Sequence, residues 1–305
     1  MVVRTDRHYT HGTKLNWLGH ETSTNTNSFD RRWAVQLARI TPNFGTEPDT
    51  MRLGLSLGQN IYTPTDISTT AAQPADRPYA GVLYTSLLVQ KRGHTASRTP
   101  LLDTWRLDLG IVGPESLAED AQNTLHRVRH FPTANGWANQ LKTEPALAVR
   151  FQRTWRFGPG GERTWSWDFL PAAGASFGNF GTFAALGGQV RAGWRLPDDF
   201  GVTTIDSIAV ASAGSRADDQ HSVRAYFFAG VEGRAVGYNE FLDGTLFRRG
   251  PHVDKFPLAG DGKFGVDLQL TALDSAGGLY SGQAFGQTYV LAGTNLSSSA
   301  NGALN

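Results

Sequence analysis

An all-β fold, an antiparallel barrel of roughly ten to twelve strands, is what this 305-residue sequence predicts. Three observations predict it. Apolar and polar residues alternate along nearly every segment, as one-sided strands require. Turn signals rich in Gly, Pro and Asp separate the alternating runs, as in GPGG at 158–161, PDD at 197–199 and DSAGG at 274–278. The composition is also glycine-rich, with 35 glycines, and charge-poor, at 18 %, a mixture that suits sheets.

Strands are expected over 9–18, MRLGLSL at 51–57, 79–91, WRLDLGI at 105–111 and LAVRFQRTWRF at 147–157. More follow over TWSWDF at 164–169, QVRAGWRL at 189–196, 223–237, KFGVDLQL at 263–270 and 287–296. In 147–157, Leu147, Val149, Phe151, Trp155 and Phe157 share one face, and Arg150, Gln152, Thr154 and Arg156 the other. Trp165, Trp167 and Trp194 fall on apolar faces in the same way. The segments 28–49, 202–222 and 246–262 read as long loops, and 297–305 as a loose tail after a single barrel domain over 1–296.

Alternation alone leaves the barrel's orientation open, because a soluble barrel hides its apolar face and a membrane barrel turns it to lipid. The polar face carries Arg106, Asp108, Arg150, Arg156, Arg191 and Arg195, and the tryptophans stand near strand ends as in an aromatic girdle. Both barrels stay in view at this point. Other classes are excluded more firmly. Charges of 28 basic and 27 acidic residues leave no footprint for nucleic acid. With no cysteine, disulfides, thiolate nucleophiles and thiolate metal sites are excluded. No apolar run approaches the roughly 18 residues of a spanning helix.

One segment breaks the β pattern. Over 117–128, Leu117, Ala121, Leu125 and Val128 form a helical stripe, with Pro114 ahead of it and Ser116 and Glu119 at capping-box spacing. Gln122 and His126 are neighbours on that helix. A surface pair is the plain reading of two such residues, and a base with its helper is the functional one. His8, His11 and His20 do not make a metal cluster on this pattern, since 8 and 11 alternate faces on a strand.

The motifs TDRHYTHG (5–12), NIYTPTDI (60–67), ADRPYAGVLY (75–84), LGIVGP (109–114), AQNTLHRV (121–128), GWANQL (136–141), EPAL (144–147) and GVEGRAVGYNEFLDG (230–244) run in one order. In this colinear set the chain resembles the outer-membrane lipid A 3′-O-deacylase family of Gram-negative bacteria. The resemblance implies a transmembrane barrel of about twelve strands and calcium-dependent hydrolysis of the 3′-linked acyloxyacyl ester of lipid A. It implies His126 as the catalytic histidine, Gln122 as its helical neighbour and Thr10 as a threonine facing the same site. The implied setting is the outer membrane, with lipopolysaccharide as substrate and the protein a monomer; a non-catalytic or porin-like barrel is the alternative. The family pattern has a further strand with an Asn-Asp pair ahead of TDRHYTHG, so the expectation is that the chain from Met1 deacylates poorly until such a strand is supplied. Ser68, Thr69 and Thr70 stand where characterised members carry a lysine.

Overall fold

The computed structural model describes residues 11–19, 21–23, 32–159, 164–201, 223–273, 279–285 and 289–292. The first half contains β1 (His11–Leu18), β2 (Thr22–Ser23), α1 (Arg32–Ile40), β3 (Glu47–Tyr62), β4 (Ala80–His94), β5 (Pro100–Val112), α2 (Ala118–Val128) and β6 (Glu144–Trp155). The second contains β7 (Trp165–Gly178), β8 (Thr182–Trp194), β9 (Val223–Tyr238), α3 (Glu240–Asp243), β10 (Leu258–Leu273), β11 (Leu279–Phe285) and β12 (Tyr289–Ala292). They form one antiparallel sheet in which strands from β3 to β10 neighbour one another in chain order. β1 and β2 both pair with β3, in registers offset by one residue (Leu18 opposite Gly54, then Thr22 opposite Met51). β11 and β12 share β10 with the same offset (Phe285 opposite Asp267, Tyr289 opposite Phe264). The 12 described strands therefore fill two fewer lateral positions than their number.

Exposure decides the orientation that alternation left open. Leu15, Trp17, Leu55, Leu57, Leu147, Trp165, Trp167, Phe177 and Leu186 are exposed, Phe177 to 78 %. Trp194 joins them, while Trp155 is half-buried on the same face. Arg106, Asp108, Arg150, Asp168, Arg191 and Asp267 are buried on the opposite face. An apolar exterior around a charged interior is the polarity of a barrel in a bilayer. A soluble barrel would have the two faces exchanged.

The interior is filled by its own ion pairs. Asp108 accepts from Ser86 at 2.6 Å and pairs with Arg150 at 2.7 Å and with Arg106. Asp168 pairs with Arg156 at 2.9 Å and Arg191 at 2.6 Å, and Arg191 also meets Asp199. Among the described residues a cavity of about 60 Å³ is bordered by Gln152, Thr154, Gln189, Glu232 and Lys263.

Several local expectations change. The expected loop 28–49 contains α1, whose Val35 packs with Met51 and Val89 on the outer face of the sheet; nine residues between loops give too short a periodic run to read from sequence. The expected loop 246–262 ends early, because β10 starts at Leu258. Arg195, expected on the polar face, lies past the end of β8 in a left-handed conformation and is exposed. Ser116 does not cap α2: Pro114–Ser116 is a 3-10 turn, the Ser116 hydroxyl donates to the Gly113 carbonyl at 2.6 Å, and Leu117 is the N-cap residue with φ 58°. The expected segment 202–222 and the tail 297–305 lie outside the described residues.

α3 tucks Phe241 and Leu242 into the rim of the barrel beside Tyr62 and Phe180. Its Glu240 is fully buried, with neither carboxylate oxygen partnered among the described residues. Burial, and then the nearby Glu144, push its pKa from 4.5 up to about 8. A raised folded-state pKa means that the native state holds more protons than the unfolded chain between these two values, so stability is greatest in acid and is lost as pH rises through about 8. Barrel melting, followed by heat-modifiable gel mobility, is expected to fall across that range in the wild type and to flatten in Glu240→Gln.

Candidate functional site

α2 lies on the outside of the barrel wall. Ala118 packs with Ile61, Trp137 and Tyr79, and Ile61 stands on the face of β3 that carries the exposed Leu55 and Leu57. The close approach depends on Gly81 of β4, because a Cβ built there would overlap the Ala118 Cβ and the Ser116 hydroxyl. Gln59 ties the start of the helix to the wall, its amide donating to the Ser116 carbonyl at 2.7 Å. The wall-facing side of α2 is therefore Ala118 and the buried Gln122, with Ala121 at its edge. Leu117 and Val128, in the stripe read from sequence, are exposed at 56 % and 72 %. A helix on a lipid-facing wall has apolar surroundings on its far side too, so its apolar stripe need not point at protein.

The end of α2 sets the imidazole of His126. Arg129 closes the helix, His130 takes a left-handed φ of 56°, and the chain doubles back. Two bonds secure the reversal: the Phe131 amide donates to the His126 carbonyl at 2.8 Å, and the His130 amide to the Arg127 carbonyl at 3.3 Å. The Phe131 ring meets the imidazole edge to face, with centroids 5.9 Å apart. The reversal brings the Pro132 carbonyl to 2.5 Å from His126 Nδ1. A carbonyl only accepts, so Nδ1 carries the proton, and in the neutral ring Nε2 holds the basic lone pair. Asn123 braces the same turn, accepting from the Ala134 amide at 3.0 Å.

Gln122 and His126 thus share a face but not an exposure: Gln122 is buried and His126 partly exposed. The indole of Trp137 donates to Gln122 Oε1 at 3.0 Å, and the Gln122 Nε2 protons have no partner among the described residues. Trp137 also packs on Tyr79, with centroids 5.0 Å apart. The Tyr79 hydroxyl donates to the Ile67 carbonyl at 3.3 Å, and its burial raises the phenol pKa. Asn135 and Asn139 donate to the carbonyls of Ser68 at 3.1 Å and Thr70 at 2.9 Å, joining the β3–β4 loop to the segment after α2. Asp66 is held below the usual carboxylate range by the hydroxyl and amide of Ser68.

Thr10 lies outside the described residues; the first residue of β1, His11, pairs with Ile61, the residue beneath α2. Trp137, the Pro132 carbonyl, Asn123 and Gly81 were not singled out from sequence. Trp137 and Gly81 sit within GWANQL and ADRPYAGVLY, so motif membership was their available signal. No group of three His, Asp or Glu side chains gathers into a metal site among the described residues.

No helix among the described residues is long and apolar enough to cross a membrane. Comparison with characterised proteins by sequence finds no match. By structure, the chain is similar to LpxR from Salmonella typhimurium, with a TM-score of 0.60 and 18 % identity over 88 % of this chain and 97 % of that one. At that identity the likeness establishes the fold. The family model for outer membrane protein LpxR matches residues 1–281. Coverage of that extent, on a barrel whose apolar face points outward, places the protein in the outer membrane, and the chain belongs to the family of outer membrane protein LpxR.

Proposed function

We propose that this protein is a lipid A 3′-O-deacylase that uses His126 as a general base. The observation that carries the reading is a partly exposed imidazole on the outer side of the barrel wall, its Nδ1 proton committed to Pro132 and its Nε2 left basic. An ester within the outer leaflet reaches that side of the wall without entering the barrel. His126 Nε2 takes a proton from water as the water oxygen attacks the ester carbonyl carbon. The tetrahedral intermediate collapses with cleavage of the acyl–oxygen bond, and the imidazolium returns the proton to the sugar alkoxide. Such proton transfer is worth ~10²–10⁴-fold. Gln122, anchored by Trp137, is assigned a positioning role beside the ring. Thr10 is assigned to the same site on the resemblance alone, as is calcium dependence; no step here passes through a metal. The interior ion pairs of Asp108 with Arg150 and of Asp168 with Arg156 and Arg191 favour this reading over a porin-like one, which needs a wide lumen.

Gly81→Val tests the placement without touching the imidazole. The added side chain meets Ala118 and Ser116 and is expected to lift α2 from the wall, lowering acyl release from lipid A by at least tenfold, a loss of about 1.4 kcal/mol of transition-state stabilisation, in barrels with normal heat-modifiable mobility. Unchanged release would show that α2 need not sit on the wall.

A further inference from the structure

A second element covers the outer wall at the end opposite α2. α1 packs Val35 on Met51 and Val89, with Leu37, Leu53 and Trp105 alongside. The strap that follows it is bonded to charged residues of the same outer face, whose cost against lipid grows with depth. Lys91 donates to the Thr41 carbonyl and to Asn43 Oδ1, both at 2.6 Å. Arg153 donates to the carbonyls of Asn43 and Phe44 at 3.0 Å and pairs with Asp103 at 2.7 Å. The Trp105 indole donates to the Pro42 carbonyl at 3.1 Å.

Phe44 is held in an unusual conformation. It has φ 46° and Gly45 φ 77°, with the Thr46 amide donating to the Asn43 carbonyl at 2.9 Å, a turn that a bulky side chain rarely enters. Its ring stacks on Trp105 at 5.7 Å and meets Phe151 edge-on at 5.1 Å, yet it stays 58 % exposed. Ile40, at the end of α1, is 76 % exposed, next to the exposed Arg39. Strain spent to hold an aromatic ring outward, in an aromatic cluster beside a cation, is the make-up of a membrane-interface belt.

The spacing agrees. Ile61 under α2 and Met51 under α1 are separated on β3 by 61 − 51 = 10 residues. At about 3.4 Å per residue this is roughly 34 Å of strand, and a tilt of about 40° reduces it to roughly 26 Å along the membrane normal, against an apolar band of about 25 Å. Between them the outer face shows Leu53, Leu55 and Leu57.

We propose that α1 and the strap 41–46 form an interfacial anchor, seating Ile40 and Phe44 at the headgroup–acyl boundary of the phospholipid leaflet opposite His126, with Arg39 toward lipid phosphate. The choice of leaflet rests on lipid A being the substrate at His126; the depth does not. The cysteine-free sequence allows a direct test. Single nitroxide labels are placed at Ile40→Cys, Phe44→Cys, Leu55→Cys and the turn position Ser97→Cys in barrels reconstituted into phosphatidylcholine–phosphatidylglycerol vesicles. Collision with oxygen against a water-soluble nickel chelate is expected to rank Leu55 deepest, Ile40 and Phe44 shallow but shielded from nickel, and Ser97 aqueous. Nickel access at Ile40 equal to that at Ser97 would overturn the anchor, as would burial equal to that at Leu55. The exposed Ile40 position supplies this readout should Phe44→Cys disturb its turn, and no outcome depends on deacylation.

Discussion

His126→Ala is expected to lower acyl release from lipid A by ~10²–10⁴-fold, the contribution of a positioned general base, while the barrel keeps its heat-modifiable mobility. The side chain is partly exposed and its contacts are with the Pro132 carbonyl and the Phe131 ring, so truncation opens no core cavity. The ratio of wild type to variant is read in the same folded barrels. Equal release by folded wild type and variant would return His126 to an ordinary surface residue.

Asp168→Ala is expected to carry the largest loss of stability. Asp168 is buried between Arg156 and the fully buried Arg191. Removing it leaves Arg191 with Asp199 as its one carboxylate among the described residues and leaves Arg156 without its interior partner. Breaking a buried pair by deleting one partner costs about 3–5 kcal/mol, because the remaining charge stays desolvated. Urea unfolding in detergent micelles is expected to show a lowered midpoint of that size. An unchanged midpoint would mean that water enters the interior and solvates Arg191 in place of Asp168.

The strands were legible because a one-sided strand writes its period into the sequence: Leu53, Leu55 and Leu57 face outward as the alternation requires, and Arg150 and Asp168 inward. What alternation does not contain is which side meets lipid, and only the exposure of Trp165 and Trp167 against the burial of Asp108 answered it. Helices on the outer wall were read less well for a shared physical reason. α1 shows its partners only once β3, β4 and β5 are side by side, and α2 meets the wall through Ala118 and Gln122, so the stripe through Leu117 and Val128 lies on a face that the fold leaves exposed. Within the site, Gln122 and His126 were visible from their helical spacing, whereas the Pro132 carbonyl that sets the tautomer is a backbone group with no sequence signature. Gly81 matters through the side chain it lacks.

Activation of water by His126 against a lipid ester outside the barrel wall leaves an isotopic signature in the products. The most direct measurement is mass spectrometry of lipid A incubated with the folded barrel in ¹⁸O-enriched water. Loss of the 3′-linked acyloxyacyl chain is expected, with ¹⁸O in the carboxylate of the released acid and none in the sugar hydroxyl, and no such loss with His126→Ala. Intact lipid A beside folded wild-type barrels would rule that role out.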